Sequence, residues 1–124
     1  MSDEIPAIEQ VVQTYFDGLY DGDTRKLAAA FHDASHLYSV GPEGVQDLPR
    51  AKWFELVEGR PSGRARNLAR RDRIVSIDLS GPETAYVKVE CQLPPRYFTD
   101  YLLLLKTGEG WKIISKSFRA ETRN

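Results

Sequence analysis

An aspartate sits inside the apolar and aromatic run Tyr97-Phe98-Thr99-Asp100-Tyr101-Leu102-Leu103-Leu104-Leu105-Lys106. A buried carboxylate is costly unless something answers its charge. Asp100 is therefore either paired or at work in a pocket. At work, it would act as a general base on a carbon acid, its pKa lifted by the leucines and tyrosines around it. Paired, it would find Lys116 or Lys88. Hairpin register separates the two cases. A three-residue loop Gly108-Glu109-Gly110 sets Asp100 opposite Phe118, on a face that carries Lys116. A loop of two or four residues sets it opposite Ser117, on the face of Ser115, Ile113 and Trp111. Gly110 can supply the positive φ that a three-residue loop wants, which favours the first register.

His36 is the second candidate. It shares a strand face with Tyr38 and Val40 and could serve as general acid or base. His32, Asp33 and His36 also spell His-Asp-x-x-His, a spacing that binds metal on a helix. The helix is expected to end near Phe31 to Asp33, so no metal site is expected. Cys91 is the only cysteine. It can form no internal disulfide, and its place between Val89 and Leu93 reads as a small packed group. Tyr15, Tyr38, Trp53, Phe54, Tyr86, Phe98 and Phe118, with Lys116, are the candidate wall of a pocket. Several buried tyrosine hydroxyls converging on one cavity would need partners and would suit a flat, partly polar ligand.

The elements that must hold these residues begin with helices. Ile5, Ile8, Val12, Tyr15, Phe16 and Leu19 recur at three- and four-residue spacing, one helical stripe. Gly18 is a weak point in it, costing about 1 kcal/mol against alanine. Gly22 stops this helix, and Asp23 or Thr24 caps a short second one through Arg25 to Phe31. Ser35 to Val40 reads as a strand and Gly41-Pro42-Glu43-Gly44 as a turn. A third helix is expected with Asp47 as cap, Pro49 in its first turn, and Gly59 and Pro61 as stops. Four strands follow with hairpin spacing: Arg73 to Leu79, Thr84 to Leu93, Tyr97 to Lys106, and Trp111 to Phe118. Helices first and a meander after predict an α+β fold. Its long twisted sheet would wrap around three helices and leave a concavity for a ligand.

At 124 residues the chain is long enough for one domain, residues 1–124. Apolar content of 41% and charged content of 28% are those of a globular protein. A net charge of -1 offers no overall pull toward nucleic acid or anionic lipid. Arg64, Arg66, Arg70, Arg71 and Arg73 are dense, but Asp72 and Asp78 lie among them and no aromatic interleaves. They read as a solvated loop and strand start, so no nucleic-acid partner is expected. No apolar run approaches the ~20 residues of a spanning helix, so no membrane partner is expected. The acidic start Met1-Ser2-Asp3-Glu4 lacks a secretory core, and a cytoplasmic location is expected.

Several segments together resemble a known superfamily. They are the helix from Ile8 to Tyr20, Phe31-His32-Asp33-Ala34, the helix around Trp53, and Arg71-Asp72-Arg73-Ile74-Val75-Ser76-Ile77-Asp78. To these add Val87-Lys88-Val89-Glu90, Phe98-Thr99-Asp100-Tyr101-Leu102 and Gly110-Trp111-Lys112-Ile113-Ile114-Ser115-Lys116. The pattern resembles the nuclear-transport-factor-2-like (NTF2-like) superfamily, within it the bacterial "putative lumazine-binding" group, near the SnoaL-like group. The resemblance implies a cone-shaped, curved antiparallel sheet around three helices in the N-terminal half, enclosing a pocket. It also implies a frequent homodimer, and a range of members from isomerases, cyclases and dehydratases to binders and interaction modules. In its ketosteroid isomerases a carboxylate is the base, the role here open to Asp100.

Three function classes follow. The first is a pocket protein that binds a small, partly aromatic or polycyclic molecule. The second is a cofactor-independent isomerase, dehydratase or cyclase using Asp100. The third is a dimeric interaction module. No cofactor is expected, since no phosphate-binding glycine loop, nucleophile elbow or nicotinamide fingerprint occurs. An enzyme predicts an open cavity at Asp100 with no lysine within salt-bridge distance. A binder predicts an open cavity whose polar groups are satisfied. A structural role predicts a cavity filled by side chains. Apolar residues on both faces of the strand around Leu102 to Leu105 further predict a homodimer through the outer sheet face.

Overall fold

The stripe Ile8, Val12, Tyr15, Phe16 and Leu19 is the buried face of the first helix, α1 (Glu4–Asp21), as its spacing requires. The computed structural model describes residues 4–124. Gly22, at φ 64°, closes this helix in the left-handed conformation that glycine adopts without strain. Asp23 then caps α2 (Thr24–Ala30), its carboxylate accepting from the Arg25 and Lys26 amides. Gly18 has a packing reason to be glycine. A Cβ there would lie 2.9 Å from Leu27 Cδ2, so its absence lets α2 close onto α1.

Two strands, not one, precede the third helix. β1 (Phe31–Gly41) turns through Pro42-Glu43 into β2 (Gly44–Pro49). Asp47 therefore does not cap a helix. It lies in β2 opposite Tyr38, and Pro49 occupies the cap of α3 (Arg50–Glu58) with no side-chain bond. β3 (Arg73–Ser80), β4 (Thr84–Leu93), β5 (Arg96–Thr107) and β6 (Gly110–Thr122) complete the chain.

The six strands form one curved, unclosed sheet in the order β2-β1-β6-β5-β4-β3. Every neighbouring pair is antiparallel except β1 and β6, which run parallel. The fold is α+β, with all three helices drawn from the N-terminal half. Alternation along β5 sends Phe98, Asp100, Leu102 and Leu104 into the core, while Tyr101, Leu103 and Leu105 face outward. One apolar cluster joins Ile8, Tyr15, Leu27, Phe31, Trp53, Val87, Leu102 and Ile113 across helices and sheet.

The β5–β6 hairpin reaches the favoured pairing by an unexpected route. Its loop has two residues, Gly108 and Glu109, because Thr107 pairs with Gly110. That loop alone would set Asp100 against Ser117. A bulge intervenes: Leu104 pairs with Ile113, but Leu103 pairs with Ser115. Ile114 is the extra residue, and it moves every later pair by one. Asp100 thus faces Phe118, and Lys116 lies on the same, inner side beside Leu102.

Candidate functional site

The inner face of the sheet brings one carboxylate, one phenol and one amine together out of solvent. Tyr15 reaches down from the buried stripe of α1, and its hydroxyl donates to Asp100 Oδ2 at 2.5 Å. Lys116 Nζ donates to the Tyr15 oxygen at 2.8 Å. The same ammonium lies 3.8 Å from Asp100 Oδ2. Asp100 is 0% exposed and Lys116 4%. Charges this deep persist only where each answers the other. Cys91, adjacent on β4, points its thiol at Asp100 Oδ2 from 3.7 Å. The other carboxylate oxygen, Oδ1, is buried with no hydrogen-bond partner, as is the Ser35 hydroxyl.

Aromatic rings close around the ammonium. Lys116 Nζ lies 4.8 Å from the Phe118 centroid, 5.0 Å from Trp53 and 5.1 Å from Tyr15. Each π face attracts the cation, and more strongly where water is excluded. Phe31 packs edge-on against both Tyr15 and Trp53, which fixes the two rings. Burial, and then the negative charge of Asp100, push the Tyr15 pKa well above its ordinary value. The Cys91 thiol is pushed up for the same reasons in the same order. Both groups keep their protons at neutral pH. Tyr15 is therefore a fixed hydrogen-bond donor and Cys91 is no nucleophile.

Of the residues singled out from sequence, Tyr15, Trp53, Phe98, Asp100, Lys116 and Phe118 lie on this inner side, with Phe54 at its edge against Trp53. His36, Tyr38 and Tyr86 do not. Leu37 is buried, so alternation turns His36 and Tyr38 to the outer face. There their rings stack at 6.0 Å, and His36 Nδ1 meets Asp47 Oδ1 at 2.5 Å. Ala85 and Val87 are buried, which turns Tyr86 outward to stack on Tyr101. His36 is thus on the opposite side of the sheet from Asp100 and cannot share a reacting atom with it.

The arginine cluster is largely taken up in ion pairs: Arg64 with Asp21, Arg70 with Asp17 and Asp72, and Arg73 with Glu90. His32 Nδ1 accepts from the Ala34 amide. Among the described residues no three His, Cys, Asp or Glu side chains gather as a metal site, and no helix is long and apolar enough to cross a membrane. A groove of about 390 Å³ lies at the far end of the strands, lined by Arg71, Arg73, Glu90, Gln92, Tyr97 and Arg123 among others, but by neither Asp100 nor Lys116. The space around Asp100 is filled by side chains, and a lysine stands within salt-bridge distance.

Sequence reasoning missed two arginines. Arg96 lies over the Phe98 ring at 5.0 Å, and Phe98 meets Phe118 at 6.4 Å. Arg60 lies just past the end of α3, and burial, then the charge of Arg96, lower its pKa from the ordinary arginine value. The only signal for these two was position, one beside Gly59 and Pro61 and the other after Pro94-Pro95.

Comparison with known proteins places this geometry in a family. The pattern described as "Putative lumazine-binding" matches residues 3–119. A curated relative, "Aldolase FrzH" of Cladobotryum sp, is 25% identical over 124 residues, covering 98% of this chain and 95% of that one. An NTF2-like protein of unknown function from Shewanella baltica superposes with a TM-score of 0.84 at 22% identity, covering 97% of this chain and 95% of its own. A ketosteroid isomerase-like protein from Erwinia carotovora atroseptica superposes at 0.74 with 14% identity, covering 99% and 100%. These likenesses establish the NTF2-like, cystatin-like fold.

Proposed function

We propose, for a chain that belongs to the "Putative lumazine-binding" family, that the cone admits a small, partly aromatic carbonyl compound and moves a proton on it without a cofactor. The observation that carries this reading is Asp100. It is fully buried in an apolar cone, and Oδ1 has no partner. The filled space around Asp100 and the Lys116 ammonium 3.8 Å away go against the open, lysine-free cavity expected of an enzyme; the unanswered Oδ1 stands on the other side, since most buried polar atoms are hydrogen-bonded. Here one oxygen is held by Tyr15 and the other has free lone pairs that could take a proton. The 25% identity to a protein named an aldolase, across nearly the whole chain, supports the same chemistry.

In this mechanism Asp100 Oδ1 takes the proton from the carbon next to the carbonyl. The C–H electron pair becomes the C=C bond of an enolate. Tyr15 turns its hydroxyl to the developing oxyanion, and the Lys116 ammonium behind it strengthens that hydrogen bond. The enolate then adds to a second carbonyl, or is reprotonated, and Asp100 returns the proton. Because Asp100 is fully buried, entry requires the Phe118 and Trp53 side chains to part.

The test is solvent deuterium exchange into a panel of small aryl ketones, together with cleavage of a fluorogenic β-hydroxyketone. Asp100→Asn should lower either rate by roughly 10²–10⁴. Wild-type exchange no faster than in buffer, or an Asp100→Asn rate equal to wild type, sinks the reading. A second reading, ligand binding without chemistry, is favoured by the Lys116 contact at 3.8 Å. It predicts ligand-induced thermal stabilisation with no exchange.

A further inference from the structure

We propose that the groove at the far end of the strands is a second ligand site, on the outer face of the sheet, which takes a small aromatic carboxylate through Arg71. Its place follows from alternation. Cys91, Phe98 and Asp100 are buried, so Glu90, Gln92, Tyr97 and Thr99 point to the other side of β4 and β5. Glu121 pairs with Tyr97 and extends that side onto β6. Together with Arg71, Arg73 and Arg123 these side chains line a groove of about 390 Å³. That volume lies within the range of small-molecule sites. The sheet separates the groove from the cone, so the site does not depend on the reaction proposed above.

The charges of the groove are answered, with one exception. Arg73 pairs with Glu90 at 2.8 Å, and Glu121 with Arg123 at 3.2 Å and Arg119 at 3.6 Å. Asp72, also in the lining, is held by Arg70 at 2.8 Å. Among the described residues the Arg71 guanidinium forms no ion pair, and the Tyr97 and Thr99 hydroxyls make no hydrogen bond. One free guanidinium and two spare hydroxyl donors in one groove suit a single negative charge. A phosphate dianion would face Glu90 and Glu121 with one free arginine to hold it, so a carboxylate fits better. The planar fork of arginine binds a carboxylate through two parallel hydrogen bonds. The walls are already fixed. Arg70 bonds Asp17 and Asp72, and Gln92 Nε2 donates to the Ala69 carbonyl, which anchors the backbone leading to Arg71. Opposite, the Arg123 guanidinium lies 4.3 Å from the Tyr97 centroid and Glu121 holds it there. A flat ring can pack beside that stack without ordering new side chains.

The experiment is amide NMR of the isotope-labelled full chain, titrated with benzoate, with uncharged benzamide and with inorganic phosphate at neutral pH and low ionic strength. Benzoate should shift the Gln92, Tyr97 and Thr99 amides and bind about tenfold tighter than benzamide, the difference that charge-assisted hydrogen bonds bring. Arg71→Met should abolish that preference. Arg66→Met, which removes an arginine outside the groove, should keep it. Both positions are exposed and form no ion pair, so both variants should melt as wild type does. Equal binding of benzoate and benzamide, or a preference that survives Arg71→Met, overturns the site. A preference lost equally in Arg66→Met assigns it to general charge and also overturns the site. Phosphate bound more tightly than benzoate overturns the carboxylate assignment. Benzoate shifts confined to the Leu102 and Lys116 amides would place the probe in the cone and overturn the groove, so the two readings fail separately. No shift with any probe overturns it as well.

Discussion

Replacing Lys116 with methionine removes one charge from a closed site and keeps most of the stem. At 3.8 Å from Asp100 Oδ2, and at an effective dielectric near 20, the lost attraction is about 4 kcal/mol. The hydrogen bond to Tyr15 goes with it, and Asp100 is left buried with no cation. Breaking one partner of a buried pair typically costs about 3–5 kcal/mol. In a domain of 124 residues each kcal/mol moves the melting temperature by roughly 4 °C. Lys116→Met should therefore melt about 12–20 °C below wild type at neutral pH, read by circular dichroism and by urea denaturation. The triple variant Tyr15→Phe/Asp100→Leu/Lys116→Met removes the whole polar set at once. No charge is then left unanswered, and only the weak Cys91 donor loses its acceptor, so stability should return to within about 2 kcal/mol of wild type. A single variant that loses less than about 1 kcal/mol refutes the coupling. So does a triple variant less stable than the single one.

Other outcomes follow from the same coordinates. Spectrophotometric titration of the six tyrosines should show one, Tyr15, ionising last and only as the fold opens. The unfolded chain releases that proton near pH ~10 while the native state retains it. Its contribution to stability is thus complete below pH ~10 and lost as pH rises toward the folded value, and Tyr15→Phe should flatten this alkaline limb. Gly18→Ala should destabilise by about 1–3 kcal/mol in thermal melts despite its better helix propensity, because the new Cβ meets Leu27 at 2.9 Å. Deleting Ile114 removes the bulge but leaves Lys116 opposite Leu102 and Phe118 opposite Asp100, both still facing inward. That variant should keep a cooperative melt, and loss of the melt would show that the bulge itself is needed for the fold. We also propose that the outer face, where Tyr101, Leu103 and Leu105 are 42%, 48% and 40% exposed, pairs with a second copy. Light scattering should find a dimer at micromolar concentration, and a monomer counts against it.

Much of the fold was legible because its signals are local. The α1 stripe and the alternation from Thr84 to Leu93 each carry their own period, and the ends of β3, β4 and β5 were read to within a residue, whereas β1 begins four residues before the expected Ser35 and β6 runs four beyond the expected Phe118. β2 was not legible. It is an edge strand whose residues are almost all exposed, so it lacks alternation, and Asp47 beside Pro49 looked like a helix cap. Asp100 announced itself as a charge in an apolar run, but its surroundings depended on Ile114. A bulge leaves no mark in a sequence, and the pairing with Phe118 came out as expected although the loop length did not. His36, Tyr38 and Tyr86 were misplaced for a related reason. Period two states which residues share a face and is silent on which face meets the helices.

The parallel seam between β1 and β6 also sets an order of events during synthesis. Phe31 pairs with Ile113, and no strand nearer in the chain can take the place of β6 beside β1. At ribosomal speeds about 80 residues take roughly 4 to 16 seconds to appear. For that interval the apolar faces of α1 and α2 have no finished sheet beneath them. The hairpins from β3 to β6 are local and can form as they emerge, whereas β1 must wait for the final strand. β6 is therefore the strand that closes the sheet, and nascent chains arrested before Ile113 should be digested rapidly by protease while those that extend past β6 resist it.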